Sequence, residues 1–286
     1  MVKHSLTASQ KLLLYFQLLN RKKSDGNICG SLTIKEKVDF EKLKMAVNFV
    51  VKNNDSFRTR ICFTGLSFKQ YFNEYKEFDI EIIDVKNDDD VKKIENKINH
   101  KVFSMLNKPL FNIKFFRFED GTGGIICSMH HVICDAWTVG LAINEIMSYY
   151  SNIEIEIQAF PYYEHVKDEH NYLSGNLIKK DKLFWKDFFK NNIPPSAVIK
   201  GDLNKEHESR KTDYYRVKIP KEVVDDIEEY CKKIKISSCS FFTGVFSLFI
   251  GLELQTQELL LDTIISNRGT FKEKHTARTI CKNITI

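Results

Sequence analysis

A mixed α/β fold is predicted from three observations. The apolar run Gly124-Ile125-Ile126-Cys127-Ser128-Met129 reads as a buried strand. Trp137, Val139, Leu141, Ile143, Ile146 and Met147 follow with polar residues between, which is a helical pattern with Asp135 as its N-cap. Strand-like and helix-like segments recur along a chain of 286 residues, a length that suits one large domain or two lobes.

In order, Leu6 to Phe16 opens a helix capped by Thr7. Asn27 to Ile34 reads as a strand. Asp39 caps an amphipathic helix to Val51, with Leu43, Val47, Val50 and Val51 inward. Ile61 to Phe72 and Ile80 to Val85 read as strands, and Asp88 to Lys101 as a charged, solvated helix. Pro109 marks a turn before a strand over Phe111 to Phe118. Gly121 to Gly124 makes the hairpin loop into the next strand. Leu183 to Phe189 is helical. The polar stretch from Asn191 to Lys211, with Pro194-Pro195, reads as a linker between lobes. Beyond it come a strand over Tyr214 to Ile219 and a helix over Lys221 to Ile234. An apolar helix read as buried spans Ser237 to Leu252, and a buried strand spans Leu259 to Ile265. These assignments divide the chain into an N-terminal lobe, 1–175, and a C-terminal lobe, 176–286.

Composition narrows the function. Hydrophobic residues make up 43% and charged residues 28%, ordinary for a globular enzyme. The formal net charge of +5 comes from lysines dispersed among acids, without the dense basic stripe of a nucleic-acid binder. Seven cysteines, none in a C-x-x-C pair, suit reduced and mostly buried thiols in a cytoplasmic protein. No leader pattern and no apolar stretch of membrane length is present, so no membrane partner is expected.

The chemistry concentrates at His130-His131-Val132-Ile133-Cys134-Asp135-Ala136-Trp137. Two histidines end a strand and a carboxylate begins the next helix, a place where open α/β sheets put their sites. Adjacent strand residues point to opposite faces, so one histidine looks into a cleft and the other into the protein. An imidazole with its ordinary pKa near 6.5 takes a proton at neutral pH. Three other readings compete. A metal site has the ligand types, but adjacent strand histidines diverge. A serine hydrolase built on Ser128 lacks the G-x-S-x-G elbow. Two core histidines with a capping aspartate need no chemistry at all.

Met129-His130-His131-Val132-Ile133-Cys134-Asp135-Ala136-Trp137-Thr138 resembles the MHHxxxDGWS motif of nonribosomal peptide synthetase condensation domains. These belong to the chloramphenicol acetyltransferase-like acyltransferases. Further segments are similar to the family's other motifs in order. Ser9-Gln10 lies in a segment like SxAQxRLWxL. Arg58-Thr59 matches the Arg-Thr of RHExLRTxF, with Asn53-Asn54-Asp55 replacing its start. Leu183-Phe184-Trp185 resembles the YWxxxL helix, and Ser266-Asn267-Arg268 the Ser-Gly-Arg segment. Arg278 to Ile286 looks like the start of GxFVNTLPLR, with Asn283 on its Asn.

The resemblance implies a two-lobed chloramphenicol acetyltransferase-like fold, incomplete in its second lobe, so that residues 1–286 alone are expected to be inactive or nearly so. It implies amide-bond formation by attack of an acceptor amine on a carrier-bound acyl or peptidyl thioester. His131 then positions or deprotonates the nucleophile, and His130 packs inward. Asp135 pairs with an arginine, Arg58 ahead of Arg268. Ala136, Trp137 and Asn283 line the substrate cleft. Ala136 replaces the family's Gly; Ala costs stability there if the position needs a positive φ, and its methyl narrows the space near substrate if that space is tight. No metal and no directly bound cofactor is implied. Donors arrive on the phosphopantetheine arms of carrier domains, and an adenylation domain of the same synthetase is a further partner. A coenzyme A- or carrier-dependent O- or N-acyltransferase, or a non-catalytic remnant of the fold, remain the alternatives.

Overall fold

The computed structural model describes residues 2–154, 160–190, 216–278 and 282–285. The chain forms two units. One comprises Met1–Lys182 with Ile265–Lys282, the other Leu183–Ile264 with Asn283–Ile286. The segment Ile265–Lys282, read from sequence as second lobe, therefore belongs with the first unit.

The first unit begins with β1 (His4–Ser5), α1 (Ala8–Leu19), β2 (Asn27–Ile34) and α2 (Phe40–Asn53). A 3-10 turn over Asp55–Arg58 leads into β3 (Thr59–Phe63) and β4 (Phe68–Phe72). The expected single strand over Ile61 to Phe72 is therefore an antiparallel hairpin, and β1 joins it in the order β1-β4-β3. Next come β5 (Ile82–Asp84), α3 (Asp88–Asn99), β6 (Phe111–Arg117), β7 (Gly123–His130) and α4 (Ala136–Tyr150).

The main sheet has the order β2-β7-β6-β5, with β5 and β6 parallel and the other pairs antiparallel. Helices cover both faces, which is why β7 reads as a continuous apolar run. On one face, Leu43, Val47 and Val50 of α2 and Ala142 and Ile146 of α4 join Phe115, Ile125 and Met129 in the core. On the other, Val91 and Ile98 of α3 meet Phe116 and Ile126. Gly124, expected in the hairpin loop, already belongs to β7. A side chain there would meet the Leu32 carbonyl of β2 at 1.9 Å, so the close strand approach requires glycine.

The chain continues through α5 (Tyr162–Ser174) and α6 (Leu177–Phe188), where the units divide. The second unit holds α7 (Lys221–Ile234), α8 (Ser238–Leu254) and β8 (Asp262–Ile265). After α9 (Phe271–Lys274), β9 (Lys282–Thr285) pairs with β8.

Three sequence expectations need correction here. Arg216 to Ile219 carries no strand, and the rest of that expected strand, like the Asn191–Lys211 linker, lies outside the described residues. The strand expected from Leu259 starts at Asp262. Finally, α8 is not a buried helix: Ile250 is its one buried residue, while Phe242, Phe246, Leu248 and Leu252 are exposed. Apolar residues run around all its sides, so no packing on one flank covers them. No single helix among the described residues is long and apolar enough to cross a membrane.

Candidate active site

β7 delivers His130 as its last residue. The chain then turns, closed by the Ile133 N–H to the His130 carbonyl at 3.1 Å. Val132, Ile133 and Cys134 are all buried. Burial of these apolar residues draws the turn inward and sets Asp135 in the interior at the start of α4.

The two histidines part at this point. His130 is 1% exposed. Its Nδ1 accepts the Val132 N–H at 3.1 Å, and its Nε2 faces Oε1 of Gln17 at 3.2 Å. Phe103 lies edge-on to the ring. Burial, with His131 as a lesser neighbour, lowers its pKa to about 4, so the ring is neutral at physiological pH. His131 stands on the turn and is half-buried, with its backbone N–H held by the Gly26 carbonyl at 2.7 Å. One ring is a locked interior group; the other belongs to a half-buried residue, with its Nδ1 shielded from solvent.

Asp135 is fully buried. Its Oδ1 caps α4 by accepting the Thr138 N–H at 2.9 Å. Both carboxylate oxygens lie 3.0 Å from Nη2 of Arg268, whose side chain is also fully buried. The guanidinium further donates to the carbonyls of Glu273, Thr276 and Arg278 at 2.8, 2.6 and 3.0 Å. A buried ion pair needs such extra bonds to offset desolvation. Arg268 thus ties the return segment to the start of α4. Trp137 adds to the clamp: its indole N–H donates to the Lys274 carbonyl at 2.8 Å, and its ring lies 5.8 Å from the Arg268 guanidinium.

Arg58, placed ahead of Arg268 as the partner of Asp135, does something else. Its Nε donates to the Val51 carbonyl at 3.2 Å and its Nη1 to the Asn73 carbonyl at 2.6 Å. It joins the end of α2 to the segment that leaves β4, while the arginine on Asp135 is Arg268. The carboxylate just before it, Asp55, accepts the Tyr162 N–H at the start of α5, at 2.8 and 3.0 Å. Ala136 opens α4 and is absent from the residues with positive φ, so the feared backbone strain does not arise. Asn283 lies on β9 with its side chain outside the described residues.

A family model described as the condensation domain matches residues 3–280. The chain belongs to the condensation domain family.

Two curated relatives from Bacillus subtilis (strain 168) illustrate the kinship. One, a chain of plipastatin synthase, is 25% identical over 281 residues, which are 95% of this chain and 11% of that protein. The other, the second chain of surfactin synthase, is 19% identical over 265 residues, 93% of this chain and 7% of its own length. This condensation domain therefore spans about a tenth or less of those relatives. Among solved structures, the condensation domain of the monacolin K polyketide synthase superposes with a TM-score of 0.83 at 13% identity, covering 100% of this chain and 67% of that one. The first condensation domain of the calcium-dependent antibiotic synthetase, in complex with a substrate analogue, gives a TM-score of 0.79 at 14% identity, covering 100% and 68%. The shared architecture is the chloramphenicol acetyltransferase-like fold.

Several residues of this condensation domain carried no warning in the sequence. Arg278 is 2% exposed, beside Arg268 and Glu273; burial lowers its pKa to about 10, with the Arg268 charge acting the same way. Thr138 exchanges bonds with the Arg278 backbone, at 2.8 Å from the N–H and 2.7 Å to the carbonyl. Gln17 and Gly26 hold the histidines. All four act through contacts distant in sequence, and no local pattern marks them.

Proposed function

We propose that this chain performs the condensation step of a nonribosomal peptide synthetase. The acceptor amine nitrogen attacks the thioester carbonyl of a carrier-bound acyl or peptidyl donor. A C–N bond forms, the C–S bond breaks, and the donor's thiolate leaves. The proton lost by the amine passes through the imidazole of His131 and ends on the leaving sulfur. The observation that supports this reading best is the asymmetry of the histidine pair. His131 is partly exposed on a turn whose neighbours, His130 and Asp135, are buried and fixed by hydrogen bonds. A base so held transfers a proton without first being organised.

The donor and acceptor arrive on phosphopantetheine arms of carrier domains, with an adenylation domain as the further partner, in the cytoplasm. The phosphopantetheine is substrate carrier here and no resident cofactor is invoked. His131→Ala tests the role. Product formation from loaded donor and acceptor carriers should fall about 10²-fold or more, with an unchanged thermal melt. Near-wild-type product would remove His131 from the reaction.

A further inference from the structure

What keeps His131 in place is a second question, resting on the reading above. The residues that answer it lie on α1 and the loop after it. Gln17 is 4% exposed. Its side-chain nitrogen donates to the carbonyls of Asn20 and Lys23 at 3.2 and 3.0 Å. Both amide hydrogens are thereby used. The reversed amide would set its oxygen against two carbonyl oxygens, so the orientation is determined by its partners. Oε1 is then the atom that faces the His130 ring, and the ring nitrogen opposite it must be the N–H. The other ring nitrogen accepts the Val132 N–H, so it must be bare. Backbone groups decide both assignments.

We propose that Gln17 is a positioning residue: it fixes His130 as the Nε2–H tautomer and, through that ring, the turn that presents His131. A proton added at Nδ1 would confront the Val132 N–H and open the turn. The loop that Gln17 holds supplies the other side of the frame. It leads to Gly26, whose carbonyl takes the His131 N–H at 2.7 Å. A Cβ on Gly26 would sit 2.6 Å from the His130 Nε2 and 3.3 Å from the Gln17 oxygen, in the slot that the ring and amide occupy. Gln10, two helical turns earlier on α1, donates to the Val132 carbonyl at 3.3 Å. So α1 grips the histidine turn at both Val132 and His130, and His131 is framed from both sides. Among the described residues, the titratable group that acts on the ring is His131, and Cys134 lies against the His130 backbone, its Sγ 3.7 Å from the carbonyl. Among the described residues, no carboxylate acts on the ring.

Two measurements test this. In protein labelled with ¹⁵N-histidine, the His130 resonances, assigned by their loss in His130→Asn, should show a pyrrole-type Nε2 and a pyridine-type Nδ1, unchanged from pH 8 to 5. The opposite tautomer, or a midpoint near 6.5, overturns the proposal whether or not the domain turns over. Gln17→Glu is then compared with wild type. The carboxylate favours the charged ring, so the His130 midpoint should rise into the pH 5–7 range. Turnover should acquire an acid limb there and recover toward pH 8. A folded Gln17→Glu protein whose pH profile superimposes on wild type also overturns it. Should Gln17→Glu fail to fold, Gln17→Met is read by the same resonances. Loss of the single tautomer is expected, and its persistence counts against the role. A His131→Ala protein that turns over like wild type, with the stated tautomer in place, would refute the catalytic reading alone.

Discussion

The ring of His130 has two fixed hydrogen-bond partners and almost no contact with water, and its pKa of about 4 lies below the 6.5 of an unfolded histidine. The unfolded chain therefore takes up a proton that the fold refuses. The stability this group contributes is complete above pH 6.5 and falls as pH drops from there toward 4. The loss across that window is about 3 kcal/mol. Urea midpoints at pH 4.5 and 7.5 should show it, and His130→Gln should flatten the dependence attributable to this site. An unchanged slope in the variant would assign the acid sensitivity to other groups. Asp55 works in the opposite sense among carboxylates: burial raises its pKa above the usual value, so its folded form gains a proton before the unfolded chain does.

Between elements, the decisive tie is Asp135 to Arg268. Removing one partner leaves the other charge buried without compensation, at a cost of about 3–5 kcal/mol. Asp135→Ala and Arg268→Met should each lower the melting temperature sharply, and the double mutant should cost much less than the sum. Arg58→Ala should be milder, about 1–3 kcal/mol for two orphaned carbonyl bonds. Combined with Asp135→Ala it should be additive, since Arg58 touches Val51 and Asn73 instead. A large coupling between Arg58 and Asp135 would contradict that geometry. The same elements show what sequence can and cannot carry. β7, its turn and the cap of α4 are contiguous, so apolar run, histidines and aspartate were legible together. The choice of arginine was not, because Arg58 and Arg268 are both distant in sequence and only packing selects between them. The facing of α4 was not legible either. Its apolar pattern names Trp137, Ile143 and Ile146 alike, yet only Ile146 of these is buried, beside Thr138 and Ala142, and Trp137 is 43% exposed. The Thr138 hydroxyl is held inward by its bonds to Arg268 and the Arg278 backbone, contacts that no apolar pattern encodes. Gln17 meets His130 across 113 residues, beyond any periodicity argument.

At the scale of the molecule, the two units differ in how much they bury. The first holds both clusters of core side chains, built on α2, α4, α3 and the central sheet. In the second, Cys231 and Ile250 are the buried apolar residues among those described, while Phe242, Val245, Phe246, Phe249 and Leu252 of α8 are exposed. Contiguous apolar surface on one helix is a driving force for association, because covering it releases about 25 cal/mol per Å² of area. The 286-residue chain should therefore associate as its concentration rises, seen as growing mass by light scattering. Sodium chloride should not reverse this, since apolar burial is little screened, whereas sulfate should strengthen it. Phe246→Ser with Phe249→Ser should restore a monomer. The pH-dependent unfolding that His130 governs belongs to the first unit and should be unchanged in that variant. A monodisperse monomer at every concentration, or association dispersed by sodium chloride alone, would assign the contact to charged surface and leave α8 without a role in it.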